Sequence, residues 1–268
     1  MTHILQFISL IFAFVLTVLI GLTPTQAETV PVYRAAAAVH PDLMDAWVIG
    51  NVTGIGSEKM IEKQVLDACT NAMGSGCTSY SWKNNHIIFS RNHKGLLKID
   101  EASTEQLALA DASVGCYQLR QLPCEILLRI SARTKKHVPN LAKNRRIIAS
   151  AAWLRLEPGE TDLRVWIATG HSTFQAAKDA ALAACQAHVA GRDCDTVVNV
   201  SNGVLQTYRA DGHGLGVVAE SNKKRAKATV LLNCKADLVK KCKLQAEYSS
   251  RTPGLFLHDY KTGKGTAI

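Results

Sequence analysis

Apolar side chains recur every three or four residues in three segments of the chain, and each segment ends at a cysteine. This spacing places the apolar side chains and the cysteine on one face of a helix. A serine lies 12 or 13 residues before each of these cysteines and before a fourth, and serine is a preferred N-cap residue. The pattern predicts four short helices, each with an N-terminal serine and a buried cysteine near its end. The serines are Ser57, Ser103, Ser172 and Ser221, and the cysteines are Cys69, Cys116, Cys185 and Cys234.

Strand-like runs follow a second cysteine after each predicted helix. They are Thr78–Trp82, Glu125–Ser131, Thr196–Val200 and Leu244–Tyr248. Three of them continue through turn residues into another apolar run, which predicts β-hairpins at Lys83–Asn85, Ser201–Gly203 and Ser250–Gly254. Ala46–Gly50 and Leu163–Thr169 are predicted to be the opening strands of two domains. The order of elements predicts an α+β fold, in which an antiparallel sheet has short helices packed on one face.

The eight cysteines form four close pairs, and the pairs repeat along the chain. The spacing within a pair is 8, 8, 9 and 8 residues, and a shift of 116 to 118 residues places the first two pairs on the last two. Such a repeat predicts two tandem copies of one domain, over residues 30–134 and 150–262. We expect a disulfide within each pair: Cys69 with Cys77, Cys116 with Cys124, Cys185 with Cys194, and Cys234 with Cys242. The spacing does not fit a zinc site and no Cys-x-x-Cys is present, so no metal or cofactor is predicted.

An almost unbroken apolar run covers residues 4–20. Gly21 and Pro24 end this run, and Thr25–Ala27 supplies the small residues of a cleavage site. The interpretation is a signal peptide over residues 1–27 and a mature protein that is periplasmic or secreted. The alternative is an uncleaved anchor in the inner membrane, because the run is close to the ~18 residues that span a bilayer.

Positive charge is concentrated in the C-terminal part of the chain. Up to Ala132 there are 9 Lys/Arg and 11 Asp/Glu, a formal charge of −2. From Arg133 there are 22 Lys/Arg and 11 Asp/Glu, a formal charge of +11. Residues 135–149 include a basic tract around Pro139 and are predicted to be the linker between the domains, with a helix over Leu141–Leu154 as an alternative.

A second group of basic residues surrounds the last predicted helix. It consists of Lys223, Lys224, Arg225, Lys227, Lys240 and Lys241, with Lys235 and Lys243 nearby. The functional interpretation is attraction to an acidic envelope polymer, an anionic membrane surface or an acidic protein, including an envelope enzyme that the protein inhibits. The alternative is a solvated helix face. Nucleic acid is a poor candidate, because aromatic residues make up only 6% of the chain and no nucleic-acid-binding motif is present.

Candidates for catalysis are few. They are His86, His93 and the segment Asp211–Gly216, in which Asp211 and His213 could orient one another, with Ser201 as a distant nucleophile. This is the alternative of a secreted hydrolase. A flexible glycine-rich turn between two strands explains the same segment without catalysis. We therefore expect a non-catalytic binding or structural module.

The stretch from Ser172 to Cys185, followed by residues 191–198 and Asn202–Gly203, resembles the secreted bacterial domain-of-unknown-function family 4189. Members of that family have an alanine-rich helix, a cysteine, a short loop, a second cysteine, a strand and then Asn-Gly-Cys. This chain has Val204 in place of that further cysteine. Fainter copies cover Ser57–Ser90, Ser103–Ser131 and Ser221–Tyr248. The resemblance implies a periplasmic or secreted bacterial module in degenerate tandem copies, and it assigns no catalytic residue.

Overall fold

The computed structural model describes residues 31–54, 56–114, 122–158, 160–211, 214–239 and 241–268. The predicted signal peptide, Cys116, His213 and Lys240 lie outside the described residues. Residues 32–268 pack as one compact unit. The predicted domain boundaries at residues 134 and 150 stay a prediction.

Short strands and helices alternate along the described chain. The first half contains β1 (Arg34–Val39), β2 (Trp47–Val52), α1 (Ser57–Met73), β3 (Thr78–Lys83), β4 (His86–Arg91), β5 (Leu97–Ala102), α2 (Glu105–Val114) and β6 (Glu125–Ser131). The single turn α3 (Leu141–Asn144) follows. The second half contains β7 (Ile148–Leu154), β8 (Arg164–His171), α4 (Phe174–His188), β9 (Cys194–Ser201), β10 (Val204–Ala210), β11 (Gly214–Glu220), α5 (Lys223–Ala236), β12 (Cys242–Ser249), β13 (Gly254–Asp259) and β14 (Lys264–Ala267).

The elements form four units with the same order, strand–strand–helix–strand. Unit I spans residues 34–83, unit II residues 86–131, unit III residues 148–201 and unit IV residues 204–249. In every unit the first strand lies in the centre of an antiparallel sheet, between the second and third strands. The hairpin of β13 and β14 extends the sheet of unit III, because β13 pairs with β8. The α+β class and the antiparallel pairing agree with the sequence prediction.

In the first half, the sheets of units I and II pack face to face, and a helix covers the outer face of each. The core between the sheets contains Ala37 and Val48 from unit I and Phe89 and Ile130 from unit II. The buried face of α1 packs on the other side of β1, and α2 packs on the other side of β4. Each sheet therefore has its helix on one face and a second sheet on the other.

The second half repeats this layering. Val165 of unit III and Leu205 of unit IV lie in the core between the two sheets. Trp166, the next residue along β8, points to the other face and packs with Ala181 of α4. On the far side, Val218 of β11 packs with the buried face of α5. Successive side chains of one strand thus enter two different cores, as the alternation of a strand requires.

Two of the central strands are rich in alanine, which sequence analysis did not identify as a strand former. In β1 the side chains from Ala35 to Val39 are all buried, and β7 is buried almost throughout. The alternative helix over Leu141–Leu154 was wrong beyond the single turn Leu141–Asn144, because Ile148–Leu154 forms β7. Alanine favours helices in isolation. These strands lie between a helix and a second sheet, and the small side chain of alanine lets both layers approach closely. Tertiary packing therefore outweighs the helix propensity of alanine here.

In units I, III and IV, a disulfide joins the end of the helix to the start of the third strand. Cys69 is bonded to Cys77, Cys185 to Cys194 and Cys234 to Cys242, with Cα atoms 6.1–6.3 Å apart. These pairings confirm the sequence prediction. Cys124 is also disulfide-bonded, and its predicted partner, Cys116, lies outside the described residues.

The three predicted hairpins were wrong, because the turns lead from one sheet to the next. Lys83–Asn85 joins β3 to β4, Ser201–Gly203 joins β9 to β10, and Ser250–Gly254 joins β12 to β13, and none of these strand pairs shares hydrogen bonds. Asn84 and Asn202 have positive φ angles of 56° and 47°, which asparagine tolerates in tight turns. The hairpins lie instead between the first and second strands of each unit. The predicted opening strands, Ala46–Gly50 and Leu163–Thr169, correspond to second strands.

The helix N-caps lie one residue after the predicted serines in three helices. Thr104, Thr173 and Asn222 each accept a hydrogen bond from the backbone N–H three residues later. Each of these residues follows a serine of similar capping propensity, so residue type alone does not indicate which of the two is the N-cap. In α1 the N-cap is Gly56, without a side-chain cap, and Ser57 lies inside the helix.

The predicted linker is an ordered segment that contacts the first half. His137 pairs with Val48 through two backbone hydrogen bonds. Its ring Nε2 lies 3.0 Å from a carboxylate oxygen of Asp45, and the Asn144 side chain donates to the other oxygen at 2.7 Å. The segment is therefore held by hydrogen bonds to the loop between β1 and β2.

The two halves meet at the turn between β9 and β10. The Ser201 hydroxyl donates to the carbonyl of Gly95 at 2.6 Å. Arg91 donates to the carbonyl of Asn202 at 3.2 Å, and the Asn202 side chain accepts from the N–H of Ile147 at 3.0 Å. Because Ser201 and Asn202 are buried, this contact is part of the interior and not a surface association.

A buried histidine lies in the core of the second half. The Tyr248 hydroxyl donates to Nδ1 of His258 at 2.9 Å, and Nε2–H of His258 donates to the side-chain oxygen Oε1 of Gln245 at 2.9 Å. Burial lowers the pKa of His258 to about 4. Both hydrogen bonds suit the neutral ring, so the core is built for an uncharged imidazole.

Acidification is expected to destabilise the protein through His258. The unfolded chain takes up this proton below pH ~6.5, whereas the folded protein takes it up only near pH 4. The stability from this group is complete above pH ~6.5, and about 2–3 kcal/mol is lost as the pH falls from ~6.5 to ~4. NMR titration of the ring protons measures the pKa directly. A midpoint near 6.5 in the folded protein would contradict this assignment.

Candidate anion-binding surface

Helix α5 separates a buried apolar face from an exposed basic face. Asn222 caps the helix by accepting from the N–H of Arg225 at 3.0 Å. Ala226, Val230 and Cys234 face the sheet of unit IV. The opposite side of the helix is exposed, and it carries Lys224, Lys227, Leu231 and Lys235. The predicted lysines therefore lie on the solvent face of this helix.

The lysines of this face differ in whether a carboxylate neutralises them. Lys223 is 78% exposed and its ammonium lies 3.5 Å from Glu247, a weak surface pair. Among the described residues, no ion pair involves Lys224, Lys227 or Lys241. These three side chains are available to an external anion.

A second basic cluster lies at the other end of unit IV. Arg209 near the end of β10 is directly opposite Lys243 in β12, and Lys241 precedes β12. All three side chains are exposed. Tyr208 and Ala210 of β10 pack against α5, so the alternation of the strand directs Arg209 to the other face of the sheet. This cluster is therefore separate from the exposed face of α5. Sequence analysis missed Arg209, because only the strand register brings it next to Lys243.

Arg225 has a structural role and was wrongly grouped with the exposed basic residues. Its Nε donates to the Glu220 carboxylate at 3.0 Å, and its Nη2 donates to the carbonyl of Pro123 at 2.7 Å. Glu220 is 1% exposed, and its second oxygen accepts from the Thr229 hydroxyl at 2.6 Å. The guanidinium is therefore used to neutralise a buried carboxylate and to join unit IV to the first half.

The catalytic candidates are not brought together. Ser201 is fully buried and donates its hydroxyl hydrogen to Gly95. Asp211 is exposed at the opposite end of β10, and a seven-residue strand at ~3.3 Å per residue separates the two by more than ~20 Å. The structure therefore does not bring Ser201 and Asp211 together, and His213 lies outside the described residues.

The other two histidines have separate surroundings. His86 begins β4, and His93 follows the end of that strand. Desolvation by burial and the nearby charge of Lys94 lower the pKa of His93, while Glu220 opposes the shift. His93 lies in a cavity with Glu220 and Tyr208.

The described part of the chain contains neither a cluster of metal ligands nor a membrane-spanning helix. No group of three or more His, Cys, Asp or Glu side chains there has the arrangement of a metal site. No helix there has both the length and the apolar character needed to cross a bilayer. The disulfides are typical of proteins in an oxidising compartment.

Comparison with known proteins identifies one domain. Residues 157–249 match a domain of unknown function, DUF4189, in agreement with the resemblance found in the sequence. The match extends from just before β8 to the end of β12, and so it includes the basic helix α5. The tandem copies remain a prediction. No curated protein and no solved structure matches the chain.

Proposed function

We propose that this protein is a non-catalytic binding module of the periplasm or the extracellular space, and that unit IV binds an acidic partner. The observation that supports it best is the row of exposed lysines on α5 that no carboxylate neutralises. Lys224 and Lys227 belong to this row, and Lys241 lies beyond the end of the helix. Acidic envelope polymers, anionic lipid head groups and acidic proteins share the chemistry that such a surface attracts.

The position of the lysines supports a functional role. Lys223 and Lys224 occupy the first turn of α5, and no acidic residue lies in that turn. Positive charge at a helix N-terminus opposes the helix macrodipole and costs about 0.3–1 kcal/mol. An external anion close to these lysines would offset that cost, because it also interacts favourably with the N-terminal dipole.

Binding to an anionic probe is expected to weaken steeply with salt. The probes are phosphatidylglycerol vesicles and poly-L-glutamate, titrated between about 50 mM and about 300 mM NaCl. Because the Debye length falls from about 14 Å to about 6 Å in this range, we expect a loss of at least about tenfold in affinity. The triple variant Lys224→Gln, Lys227→Gln, Lys241→Gln should weaken binding by a similar factor at low salt.

A matched control separates this surface from general positive charge. The variant Lys59→Gln, Lys178→Gln, Lys261→Gln removes the same charge from exposed lysines elsewhere, and it should leave binding almost unchanged. Each variant should retain its thermal stability, because exposed substitutions usually change it by less than ~0.5 kcal/mol. Equal losses in both variants, or an affinity that is independent of salt, would refute the proposal.

A further inference from the structure

A cleft of about 400 Å³ lies where the two halves meet, away from the basic face of α5. Its walls come from the loop after β1, the segment before β7, the end of β8 and the loop between β12 and β13. Three arginines line it: Arg145, Arg146 and Arg251. The volume is within the ~300–1,000 Å³ that is usual for small-molecule sites.

The arginines of this cleft have no acidic partner at ion-pair distance. In the described chain, no salt bridge or side-chain hydrogen bond involves any of the three guanidinium groups. Arg146 is half-buried, and its Nε is shielded from solvent without a hydrogen-bond partner. A buried polar group is normally hydrogen-bonded. A ligand in the cleft can supply the acceptor that the Nε of Arg146 lacks. Burial also lowers the pKa of the Arg146 side chain, and the attraction of Asp42 opposes this shift.

The remaining polar residues leave the cleft with a net positive charge. Asp42 is the one carboxylate among the lining residues. The His40 ring is held from both sides, because its Nδ1 accepts from the N–H of Asp42 at 3.1 Å and its Nε2 lies 3.0 Å from the carbonyl oxygen of Ser75. With three arginines and one aspartate, a ligand of charge −2 would balance the site.

We propose that this cleft binds a small organic phosphomonoester. A phosphoryl group is dianionic near neutral pH, and its oxygens match the fork of the guanidinium group. The Ser172 hydroxyl lies at the same wall and can donate to a further oxygen. Met73, Ile147 and Pro253 form an apolar part of the lining, which suits the carbon portion of the ligand. This site is separate from the basic face of α5, and the proposal does not depend on the proposed function.

Calorimetric titration of the full-length protein with glycerol 2-phosphate tests the proposal, with succinate as a dicarboxylate of the same charge. We expect glycerol 2-phosphate to bind, and Arg251→Gln and Arg145→Gln each to weaken its binding by about tenfold or more. Asp42→Asn should strengthen binding, because it removes the opposing charge. Arg133→Gln is the matched control, since it removes an exposed arginine outside the cleft, and it should have no effect.

The variants are chosen so that folding does not obscure the result. Arg145 and Arg251 are exposed, and thermal denaturation should give similar midpoints for both variants and the unmodified protein. Absence of binding by the unmodified protein would overturn the proposal. It would also fail if Arg133→Gln weakened binding as much as Arg251→Gln, and tighter binding of succinate would overturn the assignment to a phosphoryl group.

Discussion

Replacing Arg225 with glutamine is expected to lower the free energy of unfolding by about 3–5 kcal/mol. The carboxylate of Glu220 is almost completely buried and forms an ion pair with Arg225. Without the guanidinium, the hydroxyl of Thr229 still donates to this carboxylate, but the counter-charge of Arg225 is lost. A buried charge that loses its counter-charge retains its desolvation cost, and the contact of Arg225 with Pro123 is lost as well.

Urea denaturation at pH 7 measures this effect, and the neighbouring residue provides the control. Lys224→Gln removes the same charge one position earlier on the exposed face, and it should change the free energy of unfolding by less than ~0.5 kcal/mol. The double variant Arg225→Gln, Glu220→Gln should recover much of the loss, because no buried charge remains. A loss below ~1 kcal/mol for Arg225→Gln alone would show that water reaches Glu220.

The second large effect is expected for Gly95→Ala, at the contact between the halves. Gly95 has a φ of +77°, which costs a residue with a side chain about 1 kcal/mol. An added Cβ would also lie 2.3 Å from the Ser201 hydroxyl, 2.7 Å from its carbonyl oxygen and 2.8 Å from its backbone nitrogen. Because two of these atoms are backbone, rotation of a side chain cannot relieve the overlap. We expect a total loss of about 3–4 kcal/mol.

Gly191→Ala is the matched control, because it measures the cost of the positive φ angle without steric overlap. Gly191 also has a φ of +77°, and no atom lies within 4 Å of a Cβ built on it. The free energy of unfolding of Gly191→Ala should therefore fall only by the ~1 kcal/mol that the left-handed backbone conformation costs a residue with a side chain. Denaturation of both variants gives the difference directly. Equal losses would mean that the two halves move apart at little cost.

The helices and disulfides could be predicted from local spacing, but the strand pairing could not. Cys185 and Cys194 are nine residues apart in sequence. The short loop between the end of α4 and the start of β9 therefore keeps the two cysteines close in space. By contrast, the Asn-Gly sequence at Asn202 is typical of a hairpin turn, and local sequence does not specify whether the next strand joins the same sheet. That choice depends on the core between two sheets, to which residues from Ala149 to Tyr260 contribute.

The same limit explains which parts of the candidate sites were predicted. Lys224 and Lys227 are close in sequence, and helical spacing correctly placed them on a solvent face. Arg251 is more than 100 residues from Arg145, and no sequence pattern connects them. Arg225 was misassigned because a charge in a basic run gives no indication that a buried carboxylate lies beside it.

The pairing of β13 with β8 has a consequence for the order of folding. The three strands of each unit pair within about 50 residues of sequence. The second edge of β8, however, pairs with β13, which lies about 90 residues further along the chain. Until β13 is available, the outer edge of β8 presents unpaired backbone groups beside Trp166 and Ile167. An unpaired apolar edge is a template for strands of other molecules. Aggregation through β8 is therefore expected to compete with folding of the second half until β13 (Gly254–Asp259) has paired with β8.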